Sequence, residues 1–140
     1  MFTHILLATD GSAAAERATE YAASLATQYG AKVTVIHAFA AVSTLLGEPN
    51  YSQTLDKTLT EAKTLVTGAA DRLRALGVTA VEEDTLAGQA ATVILDVAES
   101  RKPDVIILGA RGLGLWSGLI LGSTSMAVVQ QASCPVLVIK

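Results

Sequence analysis

The chain has 140 residues, of which 51% are hydrophobic and 16% charged, with a formal net charge of −3. That composition excludes a disordered chain, and its mild acidity excludes the basic footprint that binding to nucleic acid or an anionic membrane leaves. The length suits one domain spanning residues 1–140, and a single cysteine, Cys134, excludes an internal disulfide framework.

Residues 4–9 (HILLAT) are apolar β-formers and predict a first buried strand. Residues 1–9 are too short, and too soon interrupted by Asp10, for a secretory signal. No apolar run approaches the ~20 residues of a membrane span, so a cytoplasmic protein is expected. Asp10, Gly11 and Ser12 end the strand as a turn, with Ser12 placed to cap the next helix. From there Ala14, Ala18, Tyr21, Ala22, Leu25 and Tyr29 recur at helical spacing, and Gly30 supplies the stop. Residues 32–39 (KVTVIHAF) read as a second buried strand. Strand, helix and strand make one βαβ unit, with parallel strands and a right-handed crossover. His37 within that strand reads as a buried, satisfied histidine, and His4 as structural.

Residues 40–52 form a connection holding the turn Gly47-Glu48-Pro49-Asn50. A long helix follows, with Leu55, Leu59, Ala62, Val66, Ala69, Leu73 and Leu76 on one stripe, Gly68 off it and Gly77 at its end. Residues 78–86 predict a third strand. Glu82, Glu83 and Asp84 within it suit a half-exposed edge, where charge discourages further pairing. Residues 89–101 predict a third helix with Val93, Ile94, Val97 and Ala98 inward, closed by Pro103.

Residues 104–125 carry the functional signal. A fourth buried strand ends at Leu108, and Gly109-Ala110-Arg111-Gly112 follows. Nine residues later Gly122-Ser123-Thr124-Ser125 opens a fourth helix, whose Met126, Val129 and Ala132 are expected to face the sheet. A helix start with hydroxyls and free N–H groups attracts anions, phosphate above all. No Lys follows the last glycine, which excludes a Walker A loop. Gly112-Leu113-Gly114 begins a dinucleotide fingerprint, but Ser117 stands at its third glycine position. Trp116 lies in the intervening loop, placed as a lid or a partner patch. Cys134 reads as a small buried residue before a fifth apolar strand over residues 135–140.

Strands alternating with helices predict an α/β fold with a doubly wound five-stranded parallel sheet and four helices. In the order 3-2-1-4-5 of that fold type, winding reverses between strands 1 and 4, and ligands bind beyond the carboxyl ends of strands there. The loop at Thr9, Asp10 and Gly11 and the loop at Gly109 to Gly112 then converge on one crevice.

The spacing of glycine, two residues, glycine, nine residues and Gly-Ser resembles the nucleotide-binding signature of the universal stress protein family. Thr9-Asp10-Gly11-Ser12, Val35-Ile36-His37-Ala38 and the closing Cys134-Pro-Val-Leu-Val-Ile139 extend the resemblance over nearly the whole chain. It implies strand order 3-2-1-4-5, in a Rossmann-like architecture of the adenine nucleotide alpha hydrolase type. It implies ATP as ligand, with Mg2+ or Mn2+ carried by the phosphates and no metal-binding protein cluster. Thr9 and Asp10 would then hold the adenosine, and Ala38 would offer its backbone to the adenine. Leu108, Gly109, Arg111, Gly112, Gly122, Ser123, Thr124 and Ser125 would surround the ribose and phosphates. The resemblance further implies a homodimer through the C-terminal strand and a regulatory role in stress response. Two departures are Thr124-Ser125-Met126-Ala127, where the family more often has charged residues, and Ala8, where some binders have Pro.

Two other readings stand beside it. One is a slow ATP hydrolase, for which Arg111 supplies charge but no residue is evident as a base. The other is a ligand-free dimeric scaffold for an unknown protein partner, against which Gly109 and Gly122 argue. No catalytic residue is assigned.

Overall fold

Strands that are apolar at nearly every position must be covered on both faces. The computed structural model, which describes residues 1–110 and 121–140, meets that demand. Its elements are β1 (His4–Ala8), α1 (Ala13–Tyr29), β2 (Lys32–Phe39), α2 (Asn50–Ala75), β3 (Val81–Ala87), α3 (Ala90–Arg101), β4 (Val105–Gly109), α4 (Ser123–Gln131) and β5 (Val136–Ile139). All neighbouring strands are parallel, in the order β3-β2-β1-β4-β5, as expected. Side chains alternate across this sheet. Ile5, Leu7, Val33, Val35 and Ile107 meet α1 and α2 on one face, while Leu6, Ile36, Ile106 and Leu108 meet α3 and α4 on the other. None of the described helices is long and apolar enough to cross a membrane.

Helix rotations differ from the periodicity in three places. In α1 the buried face is Ala14, Ala15, Ala18, Ala22, Ala23 and Ala26, while Tyr21 and Tyr29 are exposed. The reason is close approach. A Cβ on Gly109 would lie 2.9 Å from the Ala14 Cβ and 3.0 Å from the Ala15 nitrogen, so this contact admits only small residues. In α4, Ser125 and Val128 turn inward, whereas Met126 and Val129 are exposed, one position off the expected face. The buried Ser125 hydroxyl donates to the Ala110 carbonyl at 2.6 Å and sets that rotation. The helix is only nine residues long, too short for its weak apolar stripe to decide. In α2 the buried residues are Ala62, Val66, Ala70 and Leu73. Leu59 is exposed, while Leu55, nearer the helix start, is half-buried.

The β3 edge and the amino-terminal end of the sheet are polar but paired. On β3, Glu82 meets Lys32 at 3.3 Å, Glu83 meets Arg74 at 3.0 Å, and Asp84 meets Arg101. Before β4, Asp104 Oδ2 accepts from the Thr3 N–H (2.7 Å), the Thr3 hydroxyl (2.8 Å) and the His4 N–H (2.8 Å). These donors hold its carboxyl below the usual range. His4 Nε2 lies 2.8 Å from the Thr34 hydroxyl, and burial, seconded by Lys32, pushes the imidazole down. Cys134 is a free, half-buried thiol raised by burial, consistent with a packing role.

Candidate functional site

A parallel sheet points the carboxyl ends of its strands, and the starts of the following helices, to one side. There the chain encloses a cleft of about 430 Å3. Its walls come from the ends of β1, β2 and β4 and the starts of α1, α3 and α4. Thr9, Asp10, Ala38, Leu108, Gly109, Gly122, Ser123 and Thr124 all line it, so residues up to 115 positions apart in sequence share one surface. Arg111, Gly112 and the Trp116 loop lie outside the described residues.

Ser125 is not among the described residues that line the cleft. Its side chain is buried, donating to the Ala110 carbonyl, with the Gly122 carbonyl at 3.1 Å. The serine anchors the helix start to the end of β4 instead. Gly109 needs a different explanation as well. It does line the cleft, but its missing side chain is what lets α1 sit against β4.

The β1 side of the cleft is internally satisfied. Gly11 adopts φ +78°, a left-handed turn that favours glycine. The Ser12 N–H donates to Asp10 Oδ1 at 2.9 Å, and the Gly11 N–H donates to Thr9 Oγ1 at 3.3 Å. Ser12 Oγ then accepts from the Ala15 N–H at 3.1 Å, the cap expected for α1. His37 is half-buried and forms part of the wall. Its Nδ1 lies 2.8 Å from the Thr9 carbonyl, which can only accept, so that nitrogen carries the proton. The satisfied histidine is as expected; its place on the cleft wall is new.

The α4 side is open. Gly122 is the N-cap, extended at φ −74° and ψ 168°, with no side-chain hydrogen bond to the helix. The first intrahelical bond runs from the Met126 N–H to the Gly122 carbonyl, so the N–H groups of Ser123, Thr124 and Ser125 have no partner within the helix. The hydroxyls of Ser123 and Thr124 stand beside them. By contrast α3 is capped by Gln89, whose Oε1 accepts from the Thr92 N–H at 3.0 Å. Among the described residues the cleft is lined by one acid, Asp10, and by no Lys or Arg. Its attraction for an anion therefore rests on main-chain donors and the helix dipole. A third wall, Ile36, Ala90 and Ile94, is apolar and suits a flat ring. The sequence reading missed it, because its residues also read as ordinary core. Only their position at element ends, beside the switch point, set them apart.

The model of the Universal stress protein family matches residues 1–140. The chain is 40% identical to the "Universal stress protein in QAH/OAS sulfhydrylase 3'region" of Thermus aquaticus over the full length of both. It is similar in structure to the universal stress protein UspA from Lactobacillus plantarum, with TM-score 0.88 and 28% identity, over 99% of this chain and 98% of that one. It is also similar to the universal stress protein from Archaeoglobus fulgidus in complex with dAMP, with TM-score 0.76 and 26% identity, over 100% of this chain and 98% of that one.

Proposed function

The chain belongs to the universal stress protein family, and from that premise we propose that it binds ATP in the cleft and acts as a nucleotide-responsive regulator in stress. The observation that carries this reading is the uncapped start of α4 facing the Asp10 turn across one cleft. Phosphate oxygens accept from the N–H groups of Ser123 and Thr124 and from their hydroxyls. The ribose lies between Asp10 and Gly109, and the adenine lies against Ile36, Ala38 and Ile94 with the Ala38 backbone at its edge. Thr9 holds the turn that presents Asp10, and Leu108 closes the floor. Arg111 and Gly112 complete the phosphate end. The dAMP bound by the Archaeoglobus fulgidus relative supports the choice of an adenine nucleotide. Mg2+ or Mn2+ would be carried by the phosphate oxygens and would neutralise their charge, since the cleft offers a single carboxylate among the described residues.

Calorimetric titration with ATP and magnesium tests the reading, together with mass spectrometry of nucleotide carried through purification. Saturable binding, weakened in Ser123→Ala, is the expected result. No heat at millimolar ATP and no copurified nucleotide would overturn it.

We also propose a homodimer in which β5 pairs with its copy. Two features of the sheet edges support it. β5 is an outer strand whose Val136, Leu137 and Val138 are half-exposed and uncharged, whereas the opposite edge, β3, carries paired charges. Light scattering is expected to give twice the chain mass, and a monomer at every concentration would end the proposal.

A further inference from the structure

The wall that β2 and α3 give to the cleft consists of Ile36, His37, Ala38, Ala90 and Ile94. His37 is its only side chain able to form a hydrogen bond. The ring is held, since Nδ1–H is engaged by the Thr9 carbonyl at 2.8 Å. In the neutral imidazole the other nitrogen, Nε2, then carries a lone pair and no proton. Among the described residues no donor reaches that lone pair. Nor is it sealed in the interior, because none of the described buried side-chain nitrogens or oxygens lacks a partner. A half-buried acceptor, already oriented from its far side, therefore stands unanswered in the cleft wall.

The other side-chain acceptors of the cleft are engaged or stand elsewhere. Thr9 Oγ1 accepts from the Gly11 N–H, Ser12 Oγ from the Ala15 N–H, and Asp10 Oδ1 from the Ser12 N–H. These three belong to the turn after β1, while Ser123 and Thr124 stand at the start of α4. The wall of β2 and α3 thus offers one lone pair set in an apolar surface. A flat ring carrying one exocyclic N–H donor complements it. A ring with an oxygen in the same place does not, because two lone pairs would face each other and both would lose water unpaid.

Resting on the nucleotide reading, we propose that His37 is the base-selecting residue of the cleft. Its Nε2 accepts from the exocyclic amino group of adenine and disfavours a purine with an oxo group at that position. Because the bond to Thr9 fixes the ring before a ligand arrives, little ordering cost is left to set against the contact.

Calorimetric titration with ATP and with inosine triphosphate tests the assignment, since the two share sugar and phosphates and differ in that amino or oxo group. The unaltered chain should bind ATP roughly tenfold more tightly, the worth of one hydrogen bond. His37→Asn keeps an amide N–H for the Thr9 carbonyl and deletes the Nε2 acceptor. It should lower the ratio several-fold, chiefly by weakening ATP, with the urea midpoint retained. Heteronuclear NMR of the imidazole nitrogens needs no variant. The His37 Nε2 signal should be of the unprotonated type in the free chain, and should move upfield with ATP and far less with inosine triphosphate. Equal affinities for the two ligands overturn the assignment, as does a ratio that His37→Asn leaves unchanged or an Nε2 signal indifferent to ATP. Each of those outcomes leaves nucleotide binding itself standing, whereas failure of both ligands to bind overturns the nucleotide reading and the assignment together.

Discussion

Helices α1 and α4 start at the same end of the sheet, and each follows a buried strand whose last residues line the cleft. Their first turns are in opposite states. At α1, Ser12 Oγ accepts from the Ala15 N–H, and Asp10 holds the Ser12 N–H in turn. At α4, Gly122 has no side chain to offer, and Ser125, the hydroxyl best placed to help, is drawn away to the Ala110 carbonyl. Both helices carry the same dipole. The difference is that α1 answers its first-turn Ala15 N–H from its own chain, whereas no side chain of the N-cap does so at α4. The single acid of the described cleft wall, Asp10, thus stands at the α1 side, away from the uncapped start of α4 in sequence but on the same cleft.

Giving α4 the cap that α1 has is the strongest way to break this contrast. Gly122→Asp places a carboxylate acceptor, and a negative charge, where the proposed phosphates sit. ATP affinity by calorimetry should fall roughly a hundredfold, while circular dichroism shows the helices retained. Next comes the seat that α1 shares with β4. Gly109→Val drives methyl groups into Ala14 and the Ala15 backbone, and should cost about 2 kcal/mol of stability in a urea titration. Removing the α1 cap should do less. Ser12→Ala should cost about 1 kcal/mol and lower the melting temperature by about 3–5 °C, with ATP affinity nearly unchanged. An affinity loss as large as that of Gly122→Asp would mean the two helix starts are not distinct in function.

The smallest effect belongs to the opposite end of the strands. Asp104, held low first by the Thr3 N–H, then by the His4 N–H and the Thr3 hydroxyl, binds fewer protons folded than unfolded. Its contribution is present above the ordinary carboxylate range and is lost as pH falls through the folded value. The melting temperature should therefore drop on acidification from about pH 5 to about pH 3, and less steeply in Asp104→Asn. Nucleotide affinity at neutral pH should be unaffected by that substitution.

Much of this architecture was legible in the sequence, for particular reasons. The strands announce themselves because burial on both faces demands unbroken apolar runs such as residues 105–108. The αL glycine at Gly30 marks the end of α1, and the charges of Glu82, Glu83 and Asp84 mark the edge. Helix faces were less legible where neighbours compete. Periodicity alone favoured Tyr21 over Ala15, since it weighs size and polarity but not the distance to a strand. The same blindness shifted the buried face of α4 by one residue. The apolar wall of Ile36, Ala90 and Ile94 was hidden because a side chain lining a ligand cavity and one filling the core have the same chemistry.

The order of polar and apolar residues along the chain thus determined the alternation of strands and helices and the five-stranded doubly wound sheet. It also determined where an unsubstituted backbone would be presented, since glycine and serine are local instructions. Tertiary structure alone decided how far each helix turned about its axis, which hydroxyls were consumed at element ends, and that Gly109 makes room for a helix. Those outcomes depend on contacts between residues distant in sequence, and such contacts are settled by a few tenths of an ångström of packing that no local pattern records.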